Sequence, residues 1–107
     1  MKTRKVGEAT FSAAETGTKY VTWSPDYRGS DREKGAVHVR TSASGMAFTS
    51  KIQGVLGPTD ASVFADLTSA ESNNFYHKDI PLVRFERAEI VMSTNPNGGN
   101  VEVYVLE

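Results

Sequence analysis

The chain has 107 residues, 13 acidic and 12 basic side chains, nine glycines and no cysteine. Its length suits one core burying roughly two-thirds of the unfolded chain's surface, because a split would leave two marginal pieces. The missing thiols exclude a disulfide scaffold, thiolate zinc sites, cysteine nucleophiles and iron–sulfur ligation, and a net charge of −1 gives no overall attraction to nucleic acid or an anionic membrane.

The apolar residues recur with a period of two, so strands are expected almost throughout. Lys5 to Ser12 reads as an N-terminal strand with Ala9 and Phe11 on one face, and Val21 and Trp23 then alternate with Tyr20 and Thr22. Ser24 to Gly35 carries Pro25, Gly29, Ser30, Gly35 and six charged residues, which predicts a surface loop over 24–35. Val37 and Val39 alternate with His38 and Arg40. In the next segment Met46, Phe48, Ile52 and Leu56 share a side, interrupted by Ser50 and Gly54. Gly57-Pro58-Thr59-Asp60 is a turn.

Ala61 to Ala70 fits either a helix, through Val63, Phe64 and Leu67, or a strand, through Val63, Ala65 and Leu67; the neighbouring strands favour the strand. Val83 and Phe85 have the opposite parity from Ile90 and Met92, so a bulge or break is expected near Glu86 to Ala88. Asn95-Pro96-Asn97-Gly98-Gly99-Asn100 then separates Ile90 and Met92 from Val101, Val103 and Val105, the pattern of a β-hairpin. About eight strands with turn signals between them, and no βαβ rhythm, predict an all-β chain. The expected fold is a single antiparallel β-sandwich or jelly-roll-like barrel over residues 1–107. Trp23, Phe11, Phe48, Phe64 and Phe85 are its expected core aromatics, while Tyr20, Tyr27, Tyr76 and Tyr104 are candidates for exposure.

Chemistry-bearing motifs are few. The sequence holds no G-x-S-x-G, H-E-x-x-H, P-loop or dinucleotide fingerprint. His77-Lys78-Asp79 offers two metal-ligand types without a third at recognised spacing, so both histidines are expected as partly exposed strand or loop residues. Glu86 and Glu89 flank Arg87, and Asp26, Asp31 and Glu33 share the charged loop with arginines; solvated ion pairs are the expectation for both. No catalytic, cofactor or metal residue is assigned, and the chain is expected to be non-enzymatic.

Contact residues are easier to nominate. Tyr27, Arg28 and Arg32 in the charged loop combine an aromatic anchor with guanidinium forks, the types favoured at interface hot spots. Lys2, Arg4 and Lys5 add a basic N-terminus suited to an acidic neighbour, with too few charges to bind nucleic acid strongly by themselves. The last strand, with its apolar Val101, Val103 and Val105 face, is expected at a sheet edge, either engaged by a neighbour or blunted by Glu102 and Glu107. Asn73-Asn74-Phe75-Tyr76 has the residue types of a sugar-binding surface.

From Phe48 onward the order is Ile52-Gln53-Gly54-Val55-Leu56, Phe64-Ala65-Asp66-Leu67, Val83-Arg84-Phe85, then Gly98-Gly99-Asn100-Val101-Glu102-Val103-Tyr104-Val105-Leu106. This layout resembles small β-sandwich virion proteins of tailed bacteriophages, with Phe64-Ala65 standing where a tryptophan often precedes the Asp-Leu pair. The resemblance implies a structural protein of the virion, assembled in the host cytoplasm. Its expected role is to decorate or cement the capsid as a homo-oligomer against the major capsid protein or other virion proteins, without direct nucleic-acid or membrane contact. A carbohydrate-binding module, or a head or tail appendage component, is the alternative.

Overall fold

Among the described residues the alternating pattern folds into nine strands and no helix. The computed structural model describes residues 3–24, 34–55, 63–81, 83 and 85–106. The strands are β1 (Thr3–Phe11), β2 (Gly17–Trp23), β3 (Lys34–Thr41), β4 (Ala47–Gly54), β5 (Ala65–Asp66), β6 (Glu71–Ser72), β7 (Phe75–Pro81), β8 (Glu86–Thr94) and β9 (Gly99–Leu106). One sheet has the order β1-β9-β3-β7, and the other β2-β8-β4-β5 with β6 also on β4. Every pairing is antiparallel.

Strands β5 and β6 act as one interrupted edge strand along β4. Between them the Leu67 and Thr68 N–H groups both donate to the Ile52 carbonyl. The Thr68 hydroxyl accepts from Ile52 N–H at 3.0 Å, so a side chain carries the ladder where the backbone leaves it. With β5 and β6 counted together, the first strand pairs with the last, the second with the last but one, the third with β7, and β4 with the β5–β6 strip. A long hairpin rolled up on itself has these pairings: the chain is a jelly roll, as one of the two expected architectures required.

The consequence is that consecutive long strands never lie in the same sheet. The expected hairpin at residues 95–100 is therefore an arch, with β8 in one layer and β9 in the other. Burial parity cannot distinguish the two, because either connection turns Ile90, Met92, Val101 and Val103 toward the same core. What selects the arch is Asn95, only 3 % exposed. Its Nδ2 donates to the carbonyls of Ser12 (2.7 Å) and Glu15 (3.0 Å), and its Oδ1 accepts from Gly98 N–H. The Ala14 N–H donates to the Asn95 carbonyl at 2.7 Å. One side chain thus fastens the β8–β9 connection to the β1–β2 connection at the same end of the sandwich. Gly98 has φ +76, and a Cβ there would lie 2.9 Å from Ala13 N, so only glycine permits this approach of two backbones.

The last strand is not an edge. Strand β9 runs between β1 and β3, which corrects the expectation of an open C-terminal strand; β1 and β7 are the edges of that sheet. No bulge occurs at Glu86 to Ala88, where β8 keeps register with both β2 and β4; the break lies before it, because β7 ends at Pro81 in one sheet and β8 begins at Glu86 in the other.

The core is the space between the layers, filled by Phe11, Val37, Val39, Val101, Val103 and Val105 from one side and Trp23, Phe48, Ile52, Ala88, Ile90 and Met92 from the other. Phe64 and Phe85 are only partly buried, contrary to expectation. Val63 is 61 % exposed; within the described part of 61–70 only Ala65–Asp66 is strand, and Leu67 alone of the three expected inward residues packs on the core.

Replacing Asn95 by Ala strands two carbonyls and one N–H in a nearly dry corner, a loss of about 2–4 kcal/mol. Asn95→Asp turns an acceptor toward the Ser12 and Glu15 carbonyls and is expected to cost more. Urea unfolding of the two variants beside the parent chain checks both the magnitude and the order.

Candidate interaction surface

The outward residues of the β1-β9-β3-β7 sheet form cross-strand rows. Lys5 pairs with Tyr104, Tyr104 with His38, and His38 with Tyr76, so one row crosses all four strands and carries three rings. The His38 and Tyr76 rings are tilted at 53° with centroids 5.7 Å apart. In the adjoining row Glu8 and Arg40 both pair with Glu102. Like charges facing each other across strands repel. Here Lys5 Nζ lies 3.1 Å from Glu8 and 3.3 Å from Glu102, and Arg40 Nη1 lies 3.7 Å from Glu102. The Tyr104 hydroxyl donates to Glu102 at 2.9 Å. That hydrogen bond, and the one from Lys5, hold the Glu102 carboxyl below its ordinary range; Glu8, then Glu102, raises the Lys5 ammonium.

Between these rows and the sandwich end lies an open hollow of about 430 Å³, lined by Thr3, His38, Arg40, Tyr76, Tyr104, Val105 and Leu106. A second, of about 260 Å³, shares Tyr76 and Leu106 and continues to Lys34, Lys78 and Asp79. The β3–β7 register slips beside it, with Gly35 opposite Ile80 and Val37 opposite His77, and Asp79 takes φ +56. This bulge and the terminal Pro81 blunt the β7 edge against uncontrolled strand addition.

The other sheet closes its outer face on itself. The Arg87 guanidinium lies over the rings of Tyr20 (4.2 Å) and Phe64 (4.0 Å), and its Nε donates to Gln53 at 2.7 Å. Gln53 in turn donates to Asp66, which also meets Lys51. Hydrogen bonds from Gln53 and Lys51 hold the Asp66 carboxyl low. Glu86 and Glu89 lie on opposite faces of β8: Glu86 is buried and accepts from Trp23 Nε1 at 3.1 Å, while Glu89 faces Lys51 and the Tyr20 hydroxyl. Two carboxylates separated by a sheet cannot work on one substrate, and Glu86 is buried rather than solvated as expected.

Of the residues nominated as contacts, Arg4 and Lys5 lie on edge strand β1. Arg4 Nη2 donates to the Ser24 carbonyl at 3.1 Å, joining the start of β1 to the root of the charged loop. Lys2, Tyr27, Arg28 and Arg32 lie outside the described residues. Asn73 and Asn74, read from the sequence as sugar-binding types, spend side-chain polar atoms on the backbone. Asn74 exchanges hydrogen bonds with both the N–H and carbonyl of Thr41, and Asn73 Oδ1 accepts from Phe48 N–H.

His77 also departs from expectation. It is 2 % exposed, with Nε2 3.0 Å from the buried Ser50 Oγ across the sheet–sheet interface and its ring edge-on to Phe75 at 4.8 Å. Among the described residues no three His, Asp or Glu side chains gather as metal ligands. The Tyr104–His38–Tyr76 row was invisible to sequence reading: each member sits at an outward parity, but their adjacency depends on β9 inserting beside β3.

Searches of family models, curated proteins and solved structures find no match to the chain.

Burial lowers the His77 pKa from 6.5 to about 4, so the folded chain keeps this ring neutral while the unfolded chain protonates it. Stability supplied by the neutral ring is intact above pH 6.5, falls between 6.5 and about 4, and levels off below. The loss over that window is on the order of 3 kcal/mol. Urea midpoints measured across it are expected to show this decline, and His77→Gln is expected to flatten it.

Proposed function

We propose that the chain is a non-enzymatic structural protein of a tailed-bacteriophage virion, which decorates the capsid and stiffens it through protein–protein contacts repeated over many copies. The observation carrying this reading is the convergence at one end of the sandwich. The hydrogen bond from Arg4 to Ser24 brings basic strand β1 to one root of the charged 24–35 segment, and Lys34, where β3 begins, is its other root. Arg4 and Lys5 on β1, with Lys2, Tyr27, Arg28 and Arg32 nominated from residue type alone, are the proposed contact residues.

The fold supports the reading without carrying it. Jelly rolls serve as viral capsid and lectin domains alike, so fold alone does not select a role. The closely packed interlayer suits a protein that acts through its outer surface, in which rigid β-layers present a contact end. The major capsid protein is the proposed partner, and the virion, assembled in the host cytoplasm, is the proposed location.

Particles purified from the source are expected to contain the chain in copy numbers proportional to the major capsid protein. Removing it should lower their heat resistance, and adding purified chain should restore it. Arg28→Glu with Arg32→Glu is expected to weaken rebinding by about tenfold or more while leaving thermal unfolding of the free chain unchanged. Absence from particles, or no rebinding to stripped shells, overturns the proposal; a few copies confined to the tail would replace decoration by an appendage role.

A further inference from the structure

Independently of shell decoration, we propose that the outer face of the β1-β9-β3-β7 sheet binds a neutral oligosaccharide. A pyranose ring presents apolar C–H faces and a rim of hydroxyls that both donate and accept. Its site therefore needs flat rings with mixed donors and acceptors around them.

Both are present. Tyr104, His38 and Tyr76 follow one another on adjacent strands. The strand spacing of about 4.8 Å sets such rings roughly one sugar unit apart. Tyr76 is 40 % exposed, an apolar ring left uncovered on a folded surface. The hollow beside it, about 430 Å³, falls within the usual range of small-molecule sites, and its continuation past Tyr76 suits a chain rather than a monosaccharide.

Charge selects the class. Glu102 offers acceptor oxygens and Arg40 offers donors, but these charges are already matched, Lys5 lying between Glu8 and Glu102 and Arg40 beside Glu102. A polyanion would gain little net attraction at the ring row, although the continuation adds Lys34 and Lys78 against Asp79, whereas neutral hydroxyls can join the existing network without unbalancing it. On the other sheet Tyr20 is also exposed, but Arg87 already lies over its ring and over that of Phe64.

The test is amide-resolved NMR titration with maltotetraose, cellotetraose and chitotetraose, each at millimolar concentration. For at least one probe, saturable shifts are expected on β3, β7 and β9 around His38, Tyr76 and Tyr104. Tyr76→Ala should weaken that binding about tenfold or more, Tyr76→Phe should retain it, and Tyr20→Ala on the opposite sheet should leave it unchanged. Matching spectra and thermal unfolding establish that the variants are folded, and unaltered capsid rebinding by Tyr76→Ala separates this site from the decoration contact. The proposal is overturned if no probe gives saturable shifts, if Tyr76→Ala binds as the parent does, or if dextran sulfate binds this face more tightly than the neutral sugars. It is overturned equally if the same residues shift with protein concentration alone, which would make the face a contact between copies.

Discussion

Crossing the core at every long connection is the constraint on which this jelly roll depends. Each strand buries alternate side chains between two layers, and each crossing carries the backbone from one layer to the other. A hairpin satisfies its chain ends with ladder hydrogen bonds, whereas an arch must find other partners for them. Here polar side chains supply those partners. Asn95 joins two arches, Asn73 and Asn74 bind the ends of β3 and β4, and the Thr41 hydroxyl donates to Asn100 O while accepting from Ala43 N–H. The asparagines that read as turn formers or sugar ligands are largely the fastenings of this topology.

The interlayer itself is not wholly apolar. Ser50 and His77 meet across it, and Glu86 accepts from Trp23 within one layer. Burying such groups costs free energy unless they are hydrogen-bonded, and a displaced layer would break the bond. The Ser50–His77 contact joins β4 of one sheet to β7 of the other, so it opposes sliding of the layers, while its neutral imidazole makes the same contact sensitive to acid.

The two outer faces differ because of what lies at their edges. The β5–β6 strip brings Phe64 and Asp66 over β8 and β4, where Arg87, Gln53 and Lys51 use their polar atoms internally. No corresponding strip covers β3 and β9 among the described residues, and their rings and paired charges stay open to a ligand.

Much of the fold was legible in the sequence. The inward faces of Val37 and Val39, Phe48 and Ile52, Ile90 and Met92, and Val101 to Val105 follow from a period of two, which is a local property of extended backbone. Composition likewise excluded cysteine chemistry. The sequence could not distinguish arch from hairpin, since both bury the same residues, and so it could not order the strands or assemble Tyr104, His38 and Tyr76 into one row. Nor could it turn His77 and Ile80 inward together: three positions apart, they share a face only because β7 carries an extra residue against β3. Alternation is written residue by residue, but neighbourhood across a sheet is decided by which chain segments meet, and here that was settled by Asn95, Gly98 and the bulge at Asp79, through contacts with segments distant in sequence.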